Sequence, residues 1–314
     1  MPGHAADTPQ PAGRAGFDAP FRPTPAHLAR SRDFGDDHTV PDSVSWPTMS
    51  DIPDSPGRFR CCGVLIDGYD PATATTALLA SRYGTPRRTH LCNAYTLSLA
   101  LRDPAYRDML NDADINFSDG HYLAMVGKRR GQTLMTERVY GPDLMFHAMD
   151  AGRELGLRHY LYGASPETVA KLKTALEAKL PGVDIVAAES PPFRPLTDAE
   201  AADLESRVAD VKPDLFWVGL GTPRQDEFVA GFAARLRCTL VPVGAAFDFW
   251  SGNKPMAPKF VQRNGLEWAY RLATEPRRLW RRYLIGNTSF VYGVLTDGRR
   301  NRRLDAAAQR RNVS

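Results

Sequence analysis

Cysteine is scarce: four residues in 314, at Cys61, Cys62, Cys92 and Cys238. Their spacing matches neither a zinc site nor a secreted disulfide framework. That leaves reduced, buried thiols in a cytosolic protein. Long hydrophobic runs are missing too. No stretch approaches ~18 uninterrupted apolar residues, so no transmembrane helix is expected. The N-terminus lacks the apolar centre of a signal peptide. Neither Gly-x-Ser-x-Gly nor a P-loop occurs, so serine hydrolysis and nucleoside-triphosphate hydrolysis have no positive signal. The seven histidines do not pair at ligand spacing. A dinucleotide fingerprint starts at Gly219-Leu220-Gly221, but Arg224 occupies its third glycine position and no clear acidic residue follows ~20 residues on. A dehydrogenase is therefore disfavoured. Charge of one sign is also modest, with a net +4, so its distribution matters more than its size.

What is present is a globular composition. Hydrophobic residues make up 43% of the chain, enough for a sizeable core, and the length allows one large or two ordinary domains. Residues 1–57 are rich in Pro, Ala, Gly, Asp and Arg and show no period, which predicts a disordered leader. Order is expected from Phe59. Cys61–Ile66 reads as one buried strand and Pro71–Tyr83 as a helix capped by Asp70. Arg88–Cys92 reads as a strand ending at Asn93. Helices follow at Tyr95–Leu101 and Pro104–Leu110, then a strand at Ala113–Phe117.

The second half alternates more regularly. Strands are expected at His159–Tyr162, Val183–Ala187, Leu215–Gly219 and Thr239–Val243. Helices follow at Pro166–Ala178, capped by Ser165, at Asp198–Ala209, capped by Thr197, and at Arg224–Leu236. Such alternation predicts an α/β fold: a parallel, Rossmann-like sheet with helices on both faces. Right-handed crossovers put every strand-end loop on one edge. That gives an α/β domain over 58–250, a basic, aromatic helical appendage over 251–295 and a polar basic tail over 296–314, expected to be disordered.

Four strand-end loops carry polar residues: Asn93; Asp119; Thr222-Pro223-Arg224-Gln225; and Gly244-Ala245-Ala246-Phe247-Asp248. A doubly wound sheet gathers them at its carboxyl edge. Asp119 stands before Gly120, which lets backbone approach a ligand closely. Taken alone, Asp-Gly is first a turn signal. Asp112-Ala-Asp114 matches an Asp-x-Asp metal pattern but precedes its strand rather than following it, so no metal ligands are assigned. In the appendage, Arg271 and Arg278 are seven apart and Arg281 is three further on. One continuous helix would put them on a shared face, though Pro276 can break or restart it. A row of guanidiniums suits a diphosphate. The interleaved Trp268, Trp280, Tyr283, Leu284 and Phe290 suit a membrane surface. A solvated basic helix packing its aromatics on the core is the plainer alternative.

With these residues in view, the chain from about Cys61 to Leu295 resembles the WecG/TagA/CpsF glycosyltransferase family. The resemblance rests on ordered blocks. They include Ala113-Asp114 through Ser118-Asp119-Gly120, Glu137-Arg138-Val139-x-Gly141-x-Asp143-Leu144, and Gly219-Leu220-Gly221-x-Pro223-x-Gln225-Asp226. Gly244-Ala245-x-Phe247-Asp248 and Glu267-Trp268-x-Tyr270-Arg271 through Glu275-Pro276-Arg277-Arg278 complete the set. It implies an inverting, metal-independent transfer from a UDP-sugar donor to a lipid-linked saccharide, typically on undecaprenyl diphosphate. The setting it implies is the inner-leaflet surface of the bacterial membrane, in cell-surface or exopolysaccharide synthesis. By the same resemblance Asp119 is the base, Asn93, Arg138 and Gln225 belong to the pocket, and Arg271, Arg278 and Arg281 hold the diphosphate. No cofactor, metal or nucleic acid is expected, and homo-oligomerisation stays open. One departure stands out: Leu91-Cys92-Asn93 replaces the family's Thr-x-Asn, removing a hydroxyl. The competing class is a non-enzymatic α/β protein that binds a membrane surface or nucleic acid.

Overall fold

The structure, a computed structural model, describes residues 57–311, with side chains described through residue 298. The leader expected over 1–57 therefore lies outside the described residues, Gly57 excepted.

Two parallel units build the sheet. Strands β5 (Arg158–Gly163), β6 (Asp184–Glu189), β7 (Leu215–Gly219) and β8 (Thr239–Pro242) pair in the order β6-β5-β7-β8. Strands β3 (Thr89–Cys92) and β4 (Ile115–Ser118) form a second parallel pair. β3 lies beside β8: Arg88 and Leu240 form a parallel bridge, and Thr89 Oγ1 donates to the Leu240 carbonyl at 2.9 Å. The resulting sequence is β6-β5-β7-β8-β3-β4, with every carboxyl end on one edge. β7 reads Leu-Phe-Trp-Val-Gly because helices cover both faces, and Phe216, Trp217 and Val218 are all fully buried.

The stretch expected as one strand over Cys61–Ile66 is a hairpin instead. β1 (Arg58–Cys61) and β2 (Val64–Asp67) pair antiparallel around Cys62-Gly63, both at positive φ, 53° and 85°. Two left-handed residues in succession match the twist of a two-residue hairpin. Gly63 takes that conformation freely. Cys62 is held there by Asp297, whose Oδ1 accepts the Cys62 N–H at 2.8 Å. β2 docks on β4 through Asp67, whose carboxylate accepts the Asn116 N–H at 2.8 Å.

Past α9 (Ala246–Trp250) come α10 (Lys259–Arg263), α11 (Glu267–Thr274) and α12 (Pro276–Arg311). Glu275, the residue before Pro276, leaves the helical conformation. Arg271 and Arg278 thus lie on two helices rather than one. α12 then runs without a break across residue 296 to Arg311, so the expected separate tail is helical there and 296 is no structural boundary. α12 lies on α2 (Ala94–Arg102) by close approach. A Cβ at Gly286 would meet Tyr95 and Ser98, and one at Gly293 would meet Cys62 Sγ at 2.6 Å and Leu101. Leu279 and Phe290 are buried beneath it. Asp297 locks its distal part, pairing with Arg130 at 2.9 Å as well as with the hairpin turn.

Candidate active site

The carboxyl edge and the appendage enclose a cleft of about 310 Å³. β3, β4, β7 and β8 all end at it, and α11 and α12 form the facing wall.

Asp119 closes β4. Its N–H donates to the Cys92 carbonyl at 2.8 Å, and its Oδ1 accepts the Gly141 N–H at 3.1 Å. Burial pushes its carboxyl up to about 7. Arg138 pulls it down, Glu267 pushes it further up, and the bonds from Gly141 and Asn93 pull it down. A carboxyl poised near neutrality and aimed into a cleft suits proton abstraction. Asn93 caps α2: its Oδ1 accepts from Tyr95 N and Thr96 N at 3.0 and 3.2 Å. Its amide side faces Asp119, so this one residue fixes a helix start and orients the carboxylate.

Arg138 stacks over the Tyr140 ring at 4.2 Å and donates to Glu267 Oε2 at 2.5 Å. Burial disfavours its charge, but Glu267 and Asp119 outweigh that and keep it cationic. Gln225 lines the cleft yet is only 4% exposed. Its Oε1 accepts the Gly221 N–H at 3.1 Å and its Nε2 donates to the Pro242 carbonyl at 3.4 Å. It therefore ties the β7 and β8 loops together. The adjacent Asp226 is fully buried and accepts from Tyr106 Oη at 2.8 Å, with His90 Nδ1 3.0 Å from its other oxygen. That network anchors the start of α8 (Arg224–Phe232) beneath the site.

The appendage brings Arg271 and Arg278 into the cleft but not Arg281. Arg281 is exposed and stacks on Trp280 at 5.2 Å. The residue at the cleft is Arg282, one position on, lying over Tyr95 at 4.4 Å. Its Nε is buried without a hydrogen-bond partner, and burial pushes its pKa down. Arg271, Arg278 and Arg138 each pair with a carboxylate: Arg271 with Glu267 at 3.9 Å, Arg278 with Glu275 at 2.6 Å. Among the described residues Arg282 has none. It is the uncompensated cation of the cleft, suited to an anionic group.

Asp112 and Asp114 lie at the amino end of β4, away from the cleft. Asp112 pairs with Arg88 at 2.5 Å, and Asp114 accepts the Arg88 N–H at 2.7 Å. Residues that the sequence reading did not single out for the site are Glu267, Tyr140, Arg282 and His121. The spacing of Arg278 and Arg282, four apart on a helix restarted at Pro276, is the signal that could have found Arg282.

The profile of the glycosyl transferase WecG/TagA/CpsF family matches residues 59–304. The chain is 32% identical over 197 residues to an N-acetylglucosaminyldiphosphoundecaprenol N-acetyl-beta-D-mannosaminyltransferase of Bacillus spizizenii, covering 62% of this chain and 74% of that protein. It is 26% identical over 189 residues to the protein of the same description from Bacillus subtilis, covering 59% and 70%. With residues 59–304, well over half of the chain, inside the matched region, this protein belongs to the WecG/TagA/CpsF family of glycosyltransferases.

Proposed function

We propose that this glycosyltransferase moves a sugar from a UDP-sugar to a saccharide on undecaprenyl diphosphate, with inversion and without a metal, at the inner face of the membrane. The observation that carries the reading is the pairing of one near-neutral carboxyl, Asp119, with a wall of guanidiniums across a single cleft. Asp119 accepts the proton of the acceptor hydroxyl as that oxygen attacks the anomeric carbon. UDP departs with added negative charge, which Arg271, Arg278 and Arg282 stabilise electrostatically. Arg282 replaces Arg281 in that role, because among the described residues it alone lines the cleft as a cation without a carboxylate partner. Asn93 orients the base, and Gln225 shapes the loops that meet the donor. The similar Bacillus proteins support an acceptor of the N-acetylglucosaminyldiphosphoundecaprenol type and an N-acetylmannosamine donor.

The outer face of α12 supports membrane docking. Trp280, Leu284, Val291, Tyr292 and Leu295 are exposed along it, Leu295 by 80%. No helix among the described residues is long and apolar enough to cross a membrane. An apolar helix face flanked by arginines instead lies in the interface, which brings the lipid-borne acceptor to the mouth of the cleft. Membership in a glycosyltransferase family sets aside the competing class of a non-enzymatic α/β protein that binds a membrane surface or nucleic acid. The test is UDP release and product mass from a panel of UDP-sugars with undecaprenyl-diphosphate N-acetylglucosamine, in excess chelator. Transfer from one donor, undiminished by chelator, is expected. Transfer that collapses with chelator and returns with manganese would overturn the metal-free mechanism.

A further inference from the structure

We propose that Glu267 is a positioning residue by which the appendage holds Arg138 away from Asp119, making the base competent only when α11 is seated on the sheet edge. This rests on the reading of Asp119 as the base and adds to it a link between base and appendage. Glu267 opens α11 and is 8% exposed. Its Oε2 accepts from Arg138 at 2.5 Å, its Oε1 accepts from Tyr140 Oη at 3.2 Å, and Arg271 lies 3.9 Å away. Arg138 faces two carboxylates, Asp119 and Glu267. Its hydrogen bond goes to Glu267, on a different element and 129 residues away.

The consequence is electrostatic. With α11 in place, Arg138 is shared, and the Glu267 carboxylate adds a like charge near Asp119. Both effects leave Asp119 a stronger proton acceptor. With α11 displaced, Asp119 becomes the one carboxylate left facing Arg138. An ion pair with an adjacent guanidinium typically lowers a carboxyl pKa by ~1–3 units and weakens it as a base. The charged and titratable groups around Asp119 include Arg138 and Tyr140 just before Gly141, Cys92 at the end of β3, and Glu267 and Arg271 on α11, with His121 lining the same cleft. Of the two carried by the appendage, only Glu267 favours the protonated, high-affinity state of Asp119. The sheet edge alone therefore supplies a base neutralised by its neighbour, and the appendage releases it.

Two measurements on the full chain test this. The first is the pH dependence of the stability difference between Asp119 and Asp119→Asn proteins, which locates the Asp119 titration without any substrate. The second is the pH profile of kcat/KM with UDP-N-acetylmannosamine and a short-chain polyprenyl-diphosphate N-acetylglucosamine. In a Glu267→Gln background both should move to lower pH by about one unit, with a several-fold lower plateau. Glu267→Asp keeps the charge but draws it back from Arg138, so it should move both in the same sense by less. It also serves if the Gln variant does not fold. Unmoved titrations, or a loss of activity uniform across pH together with a lower Tm, would overturn the proposal. If the stability window moves while the catalytic limb does not, Glu267 acts as proposed and the assignment of Asp119 as base fails.

Discussion

Replacing Asp119 by Asn should stabilise this protein while disabling it. The carboxyl titrates near 7 in the fold against an ordinary value of 3.8, so the unfolded chain gives up its proton first. Between those two pH values the native state holds more protons, and stability falls as pH rises. Below about pH 4 both states are protonated and the penalty is absent; above about pH 7 it is complete. Three pH units at about 1.4 kcal/mol each set a ceiling of about 4 kcal/mol. Solvent reaching the half-buried carboxylate and relaxation around Arg138 reduce that, so the expected gain for Asp119→Asn at pH 8 is about 1–2 kcal/mol. Urea unfolding of both proteins at pH 4, 6 and 8 reads it directly. The difference should be near zero at pH 4 and largest at pH 8. Turnover should meanwhile drop by ~10² to 10⁴, the usual contribution of a general base. A variant no more stable than wild type at pH 8, or a gain independent of pH, would refute the reasoning that burial strains this carboxylate.

On the proposed role of Arg282 in stabilising the departing diphosphate, Arg282→Ala should cut turnover by about 10² or more. Arg281→Ala should cost less than about three-fold in turnover, one exposed charge near anionic lipid being worth only ~1 kcal/mol; equal effects in a steady-state assay would contradict the placement of the two side chains. Leu284→Ser with Leu295→Ser should weaken sedimentation with anionic liposomes yet leave turnover of a short-chain acceptor within about two-fold, because both side chains face away from the cleft. Asp297→Ala should cost about 1.5–3 kcal/mol through lost charge-assisted hydrogen bonds, and faster amide exchange at Cys62 and along α12 would locate the loss.

The strand pattern was readable because parallel strands buried on both faces are short apolar runs bounded by caps and glycines. Asp119, Asn93 and Gln225 follow such runs, so their arrival at one edge needed only the α/β alternation and the handedness of crossovers. The hairpin at Cys62-Gly63 was not readable. Both flanking strands are apolar, and the left-handed Cys62 is held by Asp297, 235 residues away in sequence. Gln225 has the residue type of a ligand contact, but only the positions of Gly221 and Pro242 in space show its amide engaged in holding two loops.

Residue type and order thus determined the sheet, the edge on which the cleft lies and the carboxylate, Asp119, that stands at it. They also determined a basic, aromatic appendage, because composition and local period are properties of short stretches. The tertiary structure decided which guanidinium enters the cleft. Pro276 restarts the helix, so spacing across it sets no common face, and packing of Gly286 and Gly293 on α2 rotates Arg282 inward and Arg281 out. It also decided the partnership of Arg138 with Glu267 and the near-neutral Asp119 beside them. Those depend on burial and on charges brought together from distant parts of the chain, which no local reading of the residues contains.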